Sequence, residues 1–107
     1  MYKKVKTLGA ALLATCAMFS AAAQSAGNKE TGKEKAIPCQ ICHGKGGRSN
    51  NPLYPVLAGQ HAQYIIKQLK AFKAGTRKDP IMNGMAEPLT DTDMDDLAAF
   101  FQSNRNP

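Results

Sequence analysis

Five consecutive residues, Cys39-Gln40-Ile41-Cys42-His43, constrain the fold of this chain more than any other feature. Two thiols stand three positions apart, and an imidazole follows the second thiol directly. Small domains usually depend on a disulfide, a metal or a cofactor for their stability, and this chain has 107 residues in all. No other cysteine follows residue 16, so one such device is expected at this position.

The C-x-x-C-H spacing is typical of covalent haem attachment. Both thiols can form thioethers with vinyl groups of the porphyrin, and His43 can then bind the iron as the proximal ligand. A thioredoxin-like dithiol is one alternative, but it belongs to a βαβ unit, and no strand pattern is visible here. A zinc site is another, but it needs four ligands. The chain offers at most Cys39, Cys42, His43 and His61, and the adjacent Cys42 and His43 are poorly placed to point at one tetrahedral ion. We therefore predict one haem c, with iron, attached to Cys39 and Cys42.

The first 23 residues are typical of a secretory signal peptide. A basic head with Lys3, Lys4 and Lys6 precedes the apolar stretch Thr7–Phe19, which is shorter than the ~20 apolar residues of a membrane span. Small residues follow and offer a cleavage site before Gln24. We expect export to the periplasm without a permanent membrane anchor, and attachment of a lipid to Cys16 is a minor alternative.

The remaining chain divides into a polar N-terminal tether over residues 24–35 and one domain over residues 36–107. One or two helical turns are expected around Glu30–Ala36, ending where Pro38 interrupts the chain. Apolar residues at helical spacing predict a helix over His61–Ala74, stopped by Gly75, and a second over Thr90–Ser103, capped by Thr90. Residues 44–59 and 76–88 are predicted loops. The fold class is therefore all-α, with about three helices and long loops around the haem.

Surface charge narrows the classes of partner. The whole chain carries a net charge of +6, of which three charges lie in the signal peptide. The remainder is only mildly basic, and its basic residues are not interleaved with stacking aromatic residues, so no nucleic-acid partner is expected. Lys67, Lys70 and Lys73 lie three apart on one predicted helix, where a solvated face is favoured over a docking stripe for an acidic partner.

Four residues could bind the iron opposite His43: Met82, Met85, Met94 and His61. Met94 lies on the apolar face of the last predicted helix, where core packing explains it. His61 begins a helix, where a solvated or capping role is more usual. Met82 and Met85 lie in a predicted loop, where packing explains them less well, and the residues alone favour Met82 while leaving Met85 open.

Residues 36–103 resemble class I c-type cytochromes, in particular small bacterial monohaem cytochromes similar to single domains of periplasmic dihaem cytochromes. The matching blocks are Cys39–Gly44, Tyr54–Gln60, Tyr64–Leu69, Phe72–Gly75, Met82–Met85, Leu89–Asp91 and Leu97–Phe101. The resemblance implies a class I cytochrome c fold and an iron ligand at Met82. It also implies that the Pro55 carbonyl accepts the Nδ1–H of His43 and so orients the ring.

These features together predict a non-enzymatic one-electron carrier that passes electrons between respiratory redox partners. The expected partners are redox proteins with acidic or mixed docking surfaces, and the carrier is expected to be a monomer or a weak dimer. The alternative is a haem electron-transfer subunit of a larger oxidoreductase, such as a flavoprotein dehydrogenase. A haem protein that binds small ligands or peroxide after displacement of its methionine is a third possibility.

Overall fold

The computed structural model describes residues 4, 9–16 and 27–105. Most of the predicted signal peptide, including its cleavage site, and the start of the predicted tether lie outside the described residues. Residues 9–16 form neither helix nor strand, and the Cys16 side chain is exposed. None of the helices in the described ranges is long and apolar enough to cross a bilayer.

Within these ranges the chain is helical and contains no strand, as the predicted all-α fold class requires. The helices are α1 (Lys29–Lys35), α2 (Ile37–His43), α3 (Ala62–Ala74), α4 (Met82–Ala86) and α5 (Asp91–Ser103), with one 3₁₀ turn at Lys45–Gly47. The described part thus holds five α-helices where the sequence predicts about three. The additional helices come from a division of the N-terminal segment at Ala36 and from the short helix α4.

Helix α5 begins and packs as the sequence predicts. The Thr90 hydroxyl accepts the backbone N–H of Asp93, and the Asp93 carboxylate accepts the backbone N–H of Thr90, which completes a capping box. Its apolar face carries Met94, Leu97 and Phe101, each at most 2% exposed. Helix α5 therefore supplies the centre of the core.

Helix α3 packs against α5 through its apolar stripe. Ile65 and Phe72 are buried, while Ala62, Ile66 and Leu69 are partly buried against the same core. Gly75 ends the helix in the left-handed conformation, with φ 75° and ψ 9°. Both the helix and its stop signal agree with the sequence prediction.

The helical turns predicted around Glu30–Ala36 are present at the end of the predicted tether. Residues 29–35 form helix α1, which Asn28 caps by accepting the backbone N–H groups of Glu30 and Thr31. Pro38 stands in the first turn of α2 rather than at a break, because a proline at this position leaves no intrahelical hydrogen bond unmade. The haem-attachment motif therefore lies on a helix that follows α1 almost directly.

Helix α1 crosses α5 at very short distance through Gly32. A Cβ added to Gly32 would stand 1.9 Å from the backbone oxygen of Asp96. Lys35, at the end of α1, pairs with Asp96 at 2.7 Å and with Asp93 at 2.8 Å. This crossing joins the two ends of the described domain.

The predicted loop over residues 76–88 contains helix α4. Its five residues, Met82–Ala86, include both candidate methionine ligands, and Pro80 and Pro88 flank it. Sequence periodicity does not detect so short a helix, because one turn shows no repeat. Met82 and Met85 consequently lie on one helical turn.

Candidate haem site

His43 is the last residue of α2, and its side chain is buried, with 7% of the residue exposed. Its Nδ1 lies 2.7 Å from the carbonyl oxygen of Pro55. A carbonyl oxygen can only accept, so Nδ1 carries the proton in this contact. The ring orientation is thereby fixed and the lone pair of a neutral imidazole remains on Nε2, which is the arrangement of a histidine metal ligand.

The loop after α2 brings Pro55 back to His43. The carbonyl oxygen of Gly47 accepts the backbone N–H of Leu57 at 2.8 Å and that of Ala58 at 3.1 Å. Gly47 itself has φ 82°, and a Cβ there would stand 2.8 Å from Phe101 Cδ1 and from the Ala58 nitrogen. Only glycine fits at this position, so the close return of the loop depends on it.

Cys39 and Cys42 lie on α2 with half-buried side chains, and neither forms a disulfide. Cys39 also packs against the hydrophobic core. Burial raises the pKa of the Cys39 thiol above its usual value of 9.0. The thiol is therefore protonated at neutral pH, and it is a poor candidate for a redox-active thiolate.

A cavity of about 190 Å³ opens beside Cys39. Its lining is largely apolar and brings Cys39 together with Met82 and Met85. The full lining is Lys35, Pro38, Cys39, Leu69, Met82, Gly84, Met85, Pro88, Leu89 and Leu97. Lys35 is the one charged residue in this lining, and its ammonium group is paired with Asp93 and Asp96.

The other two candidate ligands lie elsewhere. Met94 is 1% exposed and packs in the core, as its place on the apolar face predicts. His61 is exposed, precedes α3, and makes no capping hydrogen bond with its side chain. Neither residue lines the cavity. Of the four residues considered, Met82 and Met85 therefore line this cavity together with Cys39.

Several residues that line the cavity are not identified by any sequence motif. Leu69 and Leu97 stand on the apolar stripes of α3 and α5, and Leu89 precedes α5. An apolar stripe predicts that such residues are buried, but it does not tell whether they pack against other protein residues or against a cofactor. Lys35 lines the cavity because of where α1 packs, and the sequence analysis places this residue in a tether.

The residues present fit a covalently bound haem. Two unbridged cysteines stand on one helix, a histidine with a fixed Nδ1 ends that helix, and a thioether side chain lies in the apolar cavity beside the first cysteine. Within the described residues, no group of three or more His, Cys, Asp or Glu side chains is arranged to hold a metal ion. The donor set and its apolar surroundings thus suit a haem better than a bare metal ion.

Comparison with known sequences places this arrangement in a family. A sequence model for cytochrome c matches residues 30–105. The chain belongs to the cytochrome c family. Residues 30–35, assigned to the tether by sequence, fall within the matched range. Class I c-type cytochromes, to which the chain is similar throughout this range, bind haem and its iron and take part in electron transport.

Two relatives and one solved structure illustrate the similarity. Cytochrome c4 of Stutzerimonas stutzeri is 42% identical over 92 residues, covering 78% of this chain and 44% of the relative. The thiosulfate dehydrogenase electron acceptor of Thiomonas intermedia is 38% identical over 98 residues, covering 91% of this chain and 41% of the relative.

The crystal structure of reduced recombinant cytochrome c4 from Pseudomonas stutzeri superposes with a TM-score of 0.70 at 43% identity, covering 74% of this chain and 46% of that one. The all-α cytochrome c fold is confirmed by this similarity. The chain spans less than half the length of each of these three proteins.

Proposed function

We propose that this cytochrome is a periplasmic one-electron carrier with a single haem c. Cys39 and Cys42 would hold the haem through thioethers, and His43 Nε2 and Met82 Sδ would bind its iron. The one C-x-x-C-H motif of this sequence supports a single haem. Its partners are other redox proteins, with which it exchanges electrons as a monomer or a weak dimer.

The observation that carries this proposal is the 2.7 Å contact between His43 Nδ1 and the Pro55 carbonyl. A histidine in a structural role could use either nitrogen, but this contact commits Nδ1 and leaves Nε2 as the donor atom for a metal. The contact also raises the basicity of the ring and holds its plane, as outer partners of metal-bound histidines do. His43 stands next to Cys42, so a haem held by the thioethers would lie within its reach.

Met82 completes the proposed ligand set. It is half-buried, whereas Met85 is 38% exposed, and both line the apolar cavity with Cys39. A thioether is a soft ligand that favours ferrous iron and raises the reduction potential. Two protein ligands would leave oxygen or peroxide without a coordination position, which suits a carrier.

When bound, haem c takes up and releases one electron at its iron. The chain contributes the surroundings of that event. His43 stays in one orientation because Pro55 holds it, and the apolar side chains of Leu69, Leu89 and Leu97 exclude water. A dry site with fixed ligands keeps structural change small when the charge changes.

The proposal is tested with purified holoprotein and two matched variants, Met82→Ala and Met85→Ala. Haem should remain on the denatured wild-type chain through acid-acetone extraction. Met82→Ala should abolish the weak red absorption band of the oxidised protein that reports sulfur–iron bonding, lower the potential, and allow carbon monoxide to bind the reduced form. Met85→Ala should keep the band.

Two results would contradict the ligand set. A band that survives Met82→Ala and disappears in Met85→Ala would make Met85 the ligand. A band unaffected by either change would mean that neither methionine is the ligand. His61 or an open coordination position would then be the alternative, and the proposal of a carrier would lose support. Haem that is extracted by acid-acetone would exclude the thioether attachment itself.

The compartment is tested on the mature protein. Mass spectrometry of the periplasmic fraction should give a chain that begins near Gln24 and lacks Cys16. A functional protein that keeps Met1, or one with a lipid on Cys16, would contradict the proposed export and cleavage.

The electron acceptor of Thiomonas intermedia favours a second candidate, in which this cytochrome accepts electrons from a dehydrogenase as its haem subunit. Size-exclusion chromatography of a native extract distinguishes the two functions. A free carrier elutes at the size of the single chain, whereas a subunit elutes together with a dehydrogenase.

A further inference from the structure

The position of Met82 depends on a segment that has little intrinsic stability. Helix α4 contains five residues, and an isolated helix of that length is unstable in water. Residues 75–81, which precede it, form turns and irregular backbone. Hydrogen bonds from the surrounding side chains must therefore hold this segment in place.

Asp79 holds the start of α4. Its Oδ1 accepts the backbone N–H of Met82 at 2.8 Å and that of Ile81 at 2.9 Å. These two N–H groups have no partner within so short a helix, so Asp79 supplies the cap that the helix needs. The same hydrogen bonds lower the pKa of Asp79 below its usual value of 3.8.

Asn83 ties the segment to helix α3. Its Nδ2 donates to the carbonyl oxygen of Phe72 at 2.8 Å and to that of Arg77 at 2.9 Å. Its Oδ1 accepts the backbone N–H of Asp79 at 2.8 Å. One amide side chain therefore connects α4, the preceding turn and the end of α3.

Two further contacts join the residues to which Asn83 bonds and the rest of α3. Phe72 is 7% exposed, and the guanidinium of Arg77 lies 4.5 Å from the centre of its ring. Arg77 also donates to Gln68 Oε1 at 2.6 Å. Asn83 therefore bonds to the buried end of α3 at Phe72 and to the turn that follows it at Arg77.

We propose that Asn83 and Asp79 are positioning residues that keep the Met82 sulfur within bonding reach of the iron. This inference rests on the proposed function, because it gives a role to the residues around Met82 only if Met82 is the ligand. Loss of either side chain frees Met82 while the α1–α5 and α3–α5 contacts remain. The ligand is then released under conditions in which the rest of the fold persists.

A purely structural role would give a different result, because the ligand and the helices would then be lost together. The two roles are separated by a urea titration of oxidised, full-length holoprotein that follows the sulfur–iron band and the far-ultraviolet circular dichroism in the same samples. The variants are Asn83→Ala, Asp79→Ala and Asp79→Asn. Lys78→Ala, at an exposed neighbouring position, is the control.

Asn83→Ala and Asp79→Ala should lose the band at urea concentrations that leave the helical signal unchanged. Carbon monoxide should also bind their reduced forms about tenfold faster, since about 1.4 kcal/mol, which one or two net hydrogen bonds can supply, corresponds to a factor of ten. Asp79→Asn keeps an acceptor oxygen for Met82 and should behave like the wild type, as should Lys78→Ala.

The inference is overturned if band and helical signal disappear together in both alanine variants and carbon monoxide binds at the wild-type rate. If Asn83→Ala yields no holoprotein, the difference between Asp79→Ala and Asp79→Asn decides the question. Failure of the proposed function gives a separate result, because the band would then survive Met82→Ala.

Discussion

At the scale of single residues, Gly32 shows how closely two helices approach. A Cβ at this position would stand 1.9 Å from the backbone oxygen of Asp96 and 3.0 Å from the Cβ of Phe100. The first of these contacts is to backbone, which cannot rotate away as a side chain can. The crossing of α1 and α5 therefore requires the absence of a side chain at residue 32.

Gly32→Ala should destabilise the protein although alanine favours helix formation. The gain in helix propensity is about 1 kcal/mol, whereas overpacking costs about 1–3 kcal/mol and more where backbone must shift. We expect a lower free energy of unfolding in urea. Thr31→Ala, at an exposed neighbouring position in α1, is the control and should be neutral or stabilising. Equal stability of Gly32→Ala and wild type would contradict the packing described here.

The sequence identifies residues whose chemistry is tied to a short pattern. Cys39, Cys42 and His43 stand out because C-x-x-C-H has few other uses. Gly32 does not stand out, since its role is to leave room for a helix more than 60 positions away. Asn83 is equally hidden, because its hydrogen bonds depend on a backbone path that no local pattern encodes.

At the scale of elements, one carboxylate joins both ends of α1 to α5. Asp96 Oδ1 accepts the backbone N–H of Asn28 at 2.7 Å, and its Oδ2 accepts from Lys35 Nζ at 2.7 Å. The Asp96 side chain is 8% exposed, whereas that of Lys35 is 30% exposed, so the carboxylate is largely shielded from water. The α1–α5 interface is therefore partly polar, with Asp96 at its centre.

Asp96→Ala should lower the free energy of unfolding by about 1–3 kcal/mol, because it leaves the Asn28 N–H without its partner and removes one of two partners of Lys35. Chemical denaturation of the holoprotein measures the change. Asp91→Asn is the matched control on the same helix: its side chain is 84% exposed and 3.8 Å from Lys70, and it should cost less than about 1 kcal/mol. Similar losses in both variants would argue against a special role for Asp96.

Acid should weaken the same interface. Hydrogen bonds from Lys35 and Thr90 lower the pKa of Asp93 from 3.8 to about 2, and hydrogen bonds from Lys35 and Asn28 lower that of Asp96. A lowered pKa in the folded state gives stability that is complete above the unfolded value and is lost as pH falls towards the folded value. Thermal unfolding should therefore show a midpoint that decreases between about pH 4 and pH 2. A variant with both Asp93→Asn and Asp96→Asn should show a shallower decrease; an unchanged slope would contradict this origin.

Apolar periodicity and capping signals predict α3 and α5, because both helices bury a continuous stripe. Helix α1 is predicted only as one or two helical turns around Glu30–Ala36, and its packing on α5 is not predicted. Its contact with α5 runs through Gly32 and the ion pairs of Lys35, so it has no apolar stripe, and a polar segment of this kind is indistinguishable from a tether in sequence. Helix α4 is too short to show a period, and its cap, Asp79, lies outside it.

At the scale of the whole molecule, little apolar protein surface holds the fold together. The buried apolar residues of the described part are Ala36, Ile65, Phe72, Ala86, Met94, Leu97, Ala98, Phe100 and Phe101. Three of these are alanines. A domain of this size with such a core is expected to need a further source of stability.

The doubly substituted chain Cys39→Ala/Cys42→Ala should therefore fail to fold cooperatively, because it cannot retain haem covalently. Circular dichroism of the purified variant should show reduced helix content and a broad thermal transition without a defined midpoint. Cys16→Ala, which changes a thiol outside the domain, should give holoprotein with a wild-type transition. A sharp transition in the double variant near that of the holoprotein would show that the protein core suffices alone.

The crossing of α1 and α5 also bears on how the chain reaches its native state. Asp96 is separated by 61 positions from Lys35 and by 68 from Asn28. Contacts of such high sequence separation require closure of a long loop, whose entropy is lost before either helix gains its partner. The contacts between α1 and α5, at the two ends of the domain, thus raise its contact order. Helix α1 therefore cannot pack until α5, near the end of the domain, is available as its partner.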